Sequence, residues 1–92
     1  MNITIDGPSF YDQEDENIFF GCIYGLPLFV EVKGHGIKLT ITFEKDLPEE
    51  IILKLLVICR RWGIDITPLK PYKEKYKSES YMWENAIVAE NT

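Results

Sequence analysis

The clearest hydrophobic pattern in the chain is a strict alternation over residues 37–44. Alternation with a period of two places one set of side chains on one face of a β-strand and the other set on the opposite face. A similar segment, residues 28–33, precedes it, and the connection Gly34-His35-Gly36 is short and glycine-rich enough for a hairpin. The pattern predicts an antiparallel sheet with one packed face and one solvated face. The side chains expected on the packed face are Ile37, Leu39, Ile41 and Phe43.

Other short apolar segments are predicted to extend this sheet. Residues 2–5 alternate and end at the turn signal Asp6-Gly7-Pro8-Ser9. Residues 17–24 are aromatic and β-branched and are bounded by a glycine and a proline, which favours a central strand. Residues 64–67 are read as a brief strand, and residues 81–89 as a strand rather than a helix. The predicted fold class is therefore α+β, with an antiparallel sheet of four to five strands.

One main helix is predicted over about residues 47–62. Asp46 and Glu49 have the spacing of a capping box, and Pro48 fits the first turn of a helix. The apolar residues that follow fill an arc of about 160° around the helix. Two arginines followed by Gly63 are typical of the C-terminal end of a helix. We expect this single helix to cover one face of the sheet, within one domain spanning residues 1–92.

Two apolar residues of this helix, Leu53 and Val57, lie outside the arc, on the side of Lys54 and the two arginines. One interpretation is that the carboxy-terminal segment folds back over them. The other is an exposed spot that binds a partner. Leu53 and Val57 are therefore candidate partner-binding residues.

The segment 68–83 is ambiguous. Its first part, Pro68-Leu69-Lys70-Pro71, favours an extended connection because each proline restricts the residue before it. Residues 72–77 fit either a helical turn or a charged loop. Four lysines interleaved with tyrosines and a tryptophan over residues 70–83 are typical of a surface that binds single-stranded nucleic acid or RNA. The same residues also fit lysines on a solvated face with tyrosines packed inward.

Composition limits the class of protein. The chain has 92 residues, of which 46% are hydrophobic and 27% charged, so it is too apolar for disorder and large enough for only one core. Its longest nearly apolar run, residues 51–59, is far shorter than the ~20 residues that span a bilayer. The first residues lack the pattern of a secretory signal, and Cys22 and Cys59 are expected to be buried free thiols, so we expect a cytoplasmic protein without membrane contact.

Negative charge is concentrated at the start of the chain. The net charge is −5, and residues 1–32 contain no lysine or arginine. Such a charge favours a basic protein partner and disfavours nucleic acid and anionic lipid. The acidic candidates for partner binding are Asp12, Glu14, Asp15, Glu16 and Glu31.

Residues that could carry chemistry are few. His35 is the only histidine, and no spacing pairs it with Cys22 or Ser9 as a base and its nucleophile. The usual structural zinc sites need more cysteine and histidine ligands than the chain has, and the acidic residues lack the spacing of a calcium loop. A glycine-rich phosphate loop is absent from the sequence. We therefore predict no catalytic residue, metal or cofactor.

The function favoured by these observations is a non-catalytic protein–protein binding module. In its most specific form it is a small acidic inhibitor, comparable in size and charge to bacterial immunity proteins, which neutralises a basic partner such as a toxin or nuclease. One alternative is a nucleic-acid-associated factor that uses residues 70–83. Another is a small enzyme subunit whose active site is completed by a second chain. The sequence leaves the oligomeric state open.

Overall fold

A computed structural model describes residues 1–84 of the chain. Within that range the strands are β1 (Asn2–Asp6), β2 (Phe29–His35) and β3 (Lys38–Phe43), and the α-helices are α1 (Gln13–Tyr24), α2 (Glu49–Arg61) and α3 (Lys70–Tyr76). Two short 3₁₀ helices, Thr67–Leu69 and Tyr81–Trp83, complete the described elements. The fold is α+β, but the predicted sheet of four to five strands under a single main helix is wrong. Residues 1–84 form a three-stranded antiparallel sheet, in the order β1-β3-β2, with three α-helices.

The three strands are those predicted around the hairpin and at the start of the chain. His35 pairs with Lys38 across the turn Gly36-Ile37, and Gly36 has a φ of 62°, a conformation that glycine adopts without strain. Ile41 and Phe43 are buried as predicted, whereas Ile37 is 72% exposed because it lies in the turn. The opposite face is polar, and the hydroxyl oxygens of Thr4 and Thr40 are hydrogen-bonded across it at 2.9 Å.

The largest correction concerns residues 17–24, which form the second half of helix α1 instead of a central strand. The helix begins after Asp12, whose carboxylate accepts a hydrogen bond from the backbone N–H of Asp15 at 2.8 Å. Phe19 and Ile23, one turn apart, are fully buried in the core. Helix capping and this i, i+4 burial therefore outweigh the β-propensity of the aromatic and branched residues.

Helix α2 matches the predicted main helix within two residues at each end, but its start differs in detail. Pro48 is the N-cap residue, and no side chain caps the helix, so the predicted Asp46 capping box is wrong. At the other end Gly63 has a φ of 67°, as expected for a glycine that ends a helix. The side chains of α2 that are buried in the core are Ile51, Ile52, Leu55, Leu56, Ile58 and Cys59.

The segment after α2 is helical where extended structure was predicted. The Asp65 carboxylate accepts hydrogen bonds from both the backbone N–H and the hydroxyl of Thr67, which turns the chain into a 3₁₀ helix where a strand was predicted. Pro68 and Pro71 then occupy first-turn positions. A backbone N–H in the first turn has no partner within the helix, so proline can stand there without the loss of a hydrogen bond. Residues 72–77 adopt the helical alternative through Tyr76. Residues 81–83 are 3₁₀ helix instead of strand, and residues 85–89 of that predicted strand lie outside the described residues.

The buried side chains of the sheet and the helices form one hydrophobic cluster. It includes Leu69, Met82 and Trp83, so the segment that follows α2 belongs to the same core. None of the helices within residues 1–84 is long and apolar enough to cross a membrane.

Candidate binding cleft

A cleft of about 830 Å³ opens where the N-terminal end of α1 faces the C-terminal end of α2. Residues 7–9 and Tyr11, from the loop between β1 and α1, form one wall. Asp15 of α1 and residues 60–63 at the end of α2 form the rest. Its volume falls within the range of protein binding sites.

The loop between β1 and α1 is fixed at both ends. The backbone N–H of Gly7 donates to the carbonyl oxygen of Ile37 at 2.6 Å, and a Cβ atom on Gly7 would lie 3.1 Å from that oxygen, so a larger residue there would require the backbone to shift by a few tenths of an ångström. At the other end, the N–H of Tyr11 donates to Asp15 Oδ2 at 3.4 Å. Phe10 turns inward, with its ring centroid 5.4 Å from that of Phe19. Tyr11 therefore points outward and is 96% exposed.

The N-terminal turn of α1 forms an acidic rim beside the cleft, and Asp15 is the residue of this turn that lines the cleft. Asp12 is the N-cap, and Glu14, Asp15 and Glu16 lie in the first turn. Carboxylates at this end of a helix are stabilised by its unpaired N–H groups and by the positive end of its dipole. This position explains how four acidic residues can lie together although, within residues 1–84, none of them is ion-paired with a lysine or arginine.

The C-terminal end of α2 supplies the basic and aromatic side of the cleft. Trp62 packs edge-on against Phe19, with ring centroids 5.2 Å apart, and its indole Nε1 donates to Asp15 Oδ1 at 3.3 Å. The guanidinium carbon of Arg61 lies 5.9 Å from the centre of the Trp62 ring. Within the described part of the chain, Arg61 has no ion-pair partner and is exposed.

Arg60 has a different role from Arg61. Its Nε and Nη2 atoms donate to the backbone carbonyl oxygens of Met82 and Trp83, each at 2.7 Å. The indole Nε1 of Trp83 donates in turn to Ser78 Oγ at 2.7 Å. Arg60 therefore holds residues 78–84 against α2, and Arg61 is the arginine that remains accessible in the cleft.

The groups that could carry covalent or redox chemistry lie elsewhere. His35 is exposed at the end of β2. Both cysteines are free thiols, Cys22 half-buried and Cys59 buried, and burial raises the pKa of Cys59 to about 12. Within residues 1–84, no group of three or more histidine, cysteine, aspartate or glutamate side chains is arranged to hold a metal ion. The side chains that line the cleft instead include a carboxylate, two arginines and two aromatic residues.

The structure brings together four of the seven predicted partner-binding residues. Asp12, Glu14, Asp15 and Glu16 lie together at the start of α1, and Asp15 is the one of the four that lines the cleft. Glu31 is separate from them: it pairs with Thr42 on the polar face of the sheet, opposite the face that α1 covers, and its carboxylate lies 3.6 Å from Lys33 Nζ.

Leu53 and Val57 are half-buried and pack against the core. They lie on the same stripe of α2 as Arg60, because residues at i, i+4 and i+7 share one helix face. Since Arg60 anchors Met82 and Trp83, the segment 78–84 returns to this side of α2, in line with the first interpretation of these two residues. Neither residue lines the cleft.

The lysine and tyrosine segment is largely packed. Tyr72 and Tyr76 are half-buried against the core, the hydroxyl of Tyr76 donates to the Leu47 carbonyl oxygen, and Trp83 is buried. Tyr81, which is 71% exposed, is the aromatic residue of the segment with an accessible ring. Bases stack on exposed aromatic rings, and Tyr81 is the aromatic side chain of segment 70–83 that is mostly exposed.

Sequence reasoning missed three residues of the cleft: Tyr11, Arg61 and Trp62. In the sequence, Arg61 and Trp62 follow the apolar residues of α2 and Tyr11 precedes the acidic residues, and no local pattern marks the three as neighbours. The spacing Asp12-x-x-Asp15 was the available signal, because an acidic N-cap there would have placed Tyr11 at a helix start.

Comparison of the chain with protein-family models, with curated proteins and with solved structures finds no match in any of the three.

Proposed function

We propose that this protein is a non-catalytic protein–protein binding module that holds a basic partner at the cleft between α1 and α2. In its specific form it is a small inhibitor of the immunity type, which blocks a toxin or nuclease by covering it. The observation that carries the proposal is the grouping of Tyr11, Arg61 and Trp62 around an open cleft with an acidic rim.

Tyrosine, arginine and tryptophan are the residue types most enriched among side chains that dominate binding energy at protein interfaces. Tyr11 presents almost its whole side chain to solvent on a loop that is fixed at both ends. Trp62 is held in place by Asp15 and Phe19. Little conformational entropy is lost when such pre-positioned aromatic groups bind, which favours a partner-binding role.

The acidic rim favours a basic partner. Asp12 and Asp15 are occupied in hydrogen bonds that cap α1 and fix the loop, while Glu14 and Glu16 have no cationic partner within residues 1–84. Uncompensated charge at the rim of an interface accelerates association with a partner of opposite charge. Arg61, on the opposite side of the cleft, would then contact a carbonyl or carboxylate of the same partner.

Affinity capture with matched baits tests the site. The wild-type protein, the variant Tyr11→Ala/Arg61→Ala and the control Tyr81→Ala/Lys45→Ala are immobilised in parallel. The control removes a tyrosine and a basic side chain that lie outside the cleft. We expect one partner to bind the wild type and the control and to be lost from the cleft variant. Equal retention by all three baits would place the binding surface elsewhere.

A second experiment tests the role of the charge. Glu14→Gln/Glu16→Gln spares the two structural aspartates, and Glu49→Gln/Glu50→Gln makes the same change in the first turn of α2. For the captured partner, we expect the α1 variant to associate roughly three- to tenfold more slowly at low salt, with a difference that shrinks above ~0.15 M. Unchanged association of the α1 variant would remove the electrostatic basis of the proposal.

If the protein is an inhibitor, it should also suppress the activity of the captured partner. Its nuclease or toxin activity should fall to background at equimolar wild-type protein, and Tyr11→Ala/Arg61→Ala should restore it. A partner that binds at the cleft but keeps its activity would limit the function to binding.

A further inference from the structure

We infer that the outer edge of β2 pairs with the same edge of a second copy, so that two three-stranded sheets join into one across a twofold axis at Val32. This surface lies on the sheet and shares no residue with the cleft, so the inference is independent of the proposed partner-binding function.

Strand β2 is an edge strand, because the sheet order is β1-β3-β2. Within residues 1–84, the backbone groups of residues 30–34 make no backbone hydrogen bond outside the sheet. The other edge of the sheet, at β1, lies against the 3₁₀ helix Thr67–Leu69. Open backbone donors and acceptors on an edge strand are a template for pairing with another strand.

The register identifies the groups that face outward. His35 and Lys38 flank a two-residue turn, which makes them a hydrogen-bonded pair, and such pairs alternate along an antiparallel ladder. Lys33 therefore bonds to Thr40, whereas Val32 and Gly34 direct their N–H and C=O groups away from β3. The hydrogen bonds between β3 and β1 agree with this alternation. Odd-numbered residues of β3 are expected to bond to β1, and the Phe43 N–H donates to the carbonyl oxygen of Met1.

An antiparallel pairing centred on Val32 is self-complementary in charge. It places Val32 opposite Val32 of the other copy, and Glu31 opposite Lys33. Twofold symmetry creates the Glu31 to Lys33 pair twice, at positions where opposing side chains approach most closely. In the single chain the two side chains already lie on one face, 3.6 Å apart and largely exposed. The same register places Gly34, which has no side chain, opposite Val30.

The extent of the pairing is limited. A register shift between Phe29 and Glu31 leaves Val30 as a bulge residue, which ends the regular edge on that side. Regular pairing over about three residues per chain gives an interface smaller than a standard stable interface. The expected assembly is therefore a reversible dimer that forms at high protein concentration.

Charge reversal tests this pairing in the full-length protein. Glu31→Lys places lysines opposite each other at both symmetric pairs, and Lys33→Glu does the same with glutamates. Each variant alone should dimerise roughly tenfold more weakly than the wild type in sedimentation velocity. An equimolar mixture should recover association as a heterodimer, because every cross-strand pair then joins opposite charges. Both variants remain acidic, so general charge attraction does not produce this recovery.

Two controls make the result specific. Glu44→Lys makes the same change of charge at an exposed residue just after β3 and should leave dimerisation unchanged. Circular dichroism should show the same fold for all variants, since the altered side chains are exposed. A wild-type protein that remains monomeric up to millimolar concentration, or a mixture that associates no better than its separate components, overturns the proposal.

Discussion

Asp15 joins the two helix ends that border the cleft, because its carboxylate accepts the indole N–H of Trp62 at 3.3 Å across 47 residues of sequence. The other oxygen of the same carboxylate accepts the backbone N–H of Tyr11. One side chain thus positions the loop that presents Tyr11 and the end of α2 that presents Arg61.

The first prediction concerns the link itself. Trp62→Phe should keep an aromatic ring against Phe19 but remove the donor to Asp15, at a cost of about 0.5 to 1.5 kcal/mol in the free energy of unfolding. Urea denaturation measures this change. In the background of Asp15→Ala, which already lacks the acceptor, the same substitution should cost less. Equal costs in both backgrounds would mean that the hydrogen bond contributes nothing to stability.

The second prediction separates two aspartates that each precede a helix. Asp12→Ala removes the N-cap of α1 and should destabilise the protein by about 1 kcal/mol. Asp46→Ala should cost less than half of that, because no side chain caps α2. Thermal and urea unfolding of the two variants provide the comparison. A larger loss for Asp46→Ala would reverse the assignment of the capped helix.

The elements that the sequence predicted correctly have unambiguous periodicity. Residues 37–43 alternate strictly, and the apolar arc of α2 spans several turns with a glycine at its end, so one local pattern dominates in each case. Even there, the exposure of Ile37 could not be predicted, because it depends on where the turn ends and β3 begins.

The longest element that the sequence failed to predict is α1, and the reason lies in residues 18–24. Almost every side chain there is apolar or aromatic, and a short apolar run fits a buried strand as well as a helix. The deciding signal came before the run, at Asp12 and the acidic residues that follow it. Because these residues were interpreted as a functional acidic loop, their structural role as a helix start was overlooked.

The candidate site shows the same limit. The acidic half of the rim was predicted from charge alone. Its meeting with Arg61 and Trp62 depends on the packing of α1 against α2, which links residues far apart in sequence. Because residues 17–24 were predicted as a strand, the sequence could not predict the cleft between α1 and α2.

The third prediction tests the core beneath the helices. Leu55 is fully buried in α2, so Leu55→Ala should cost about 2 to 5 kcal/mol in the free energy of unfolding. Lys54→Ala, an exposed change at the adjacent position, should stay within about 0.5 kcal/mol of the wild type. Similar losses from the two substitutions would contradict the burial of this face of α2.

The fourth prediction concerns arginines that are adjacent in sequence but differ in role. Arg60→Gln should destabilise the protein, because it removes the donors to the Met82 and Trp83 carbonyl oxygens, and should increase amide hydrogen exchange across residues 78–84. Arg61→Gln should leave both properties nearly unchanged. If the exchange pattern responds equally to both variants, Arg60 is not the anchor of that segment.

The fifth prediction follows from the buried thiol of Cys59, whose pKa burial raises from 9.0 to about 12. The folded state holds this proton more tightly than the unfolded state does. The resulting contribution to stability is therefore complete below about pH 9 and is lost as the pH rises toward 12, reaching a loss of roughly 1 kcal/mol by pH 10. Burial also raises the pKa of Tyr72, so the wild-type curve contains a second contribution of the same sign.

Urea unfolding at pH 7, 8, 9 and 10 should show a steeper decline for the wild type than for Cys59→Ala, and the difference between the two curves isolates Cys59. Parallel curves would mean that the thiol titrates as it does in the unfolded chain, and that Cys59 is accessible to water.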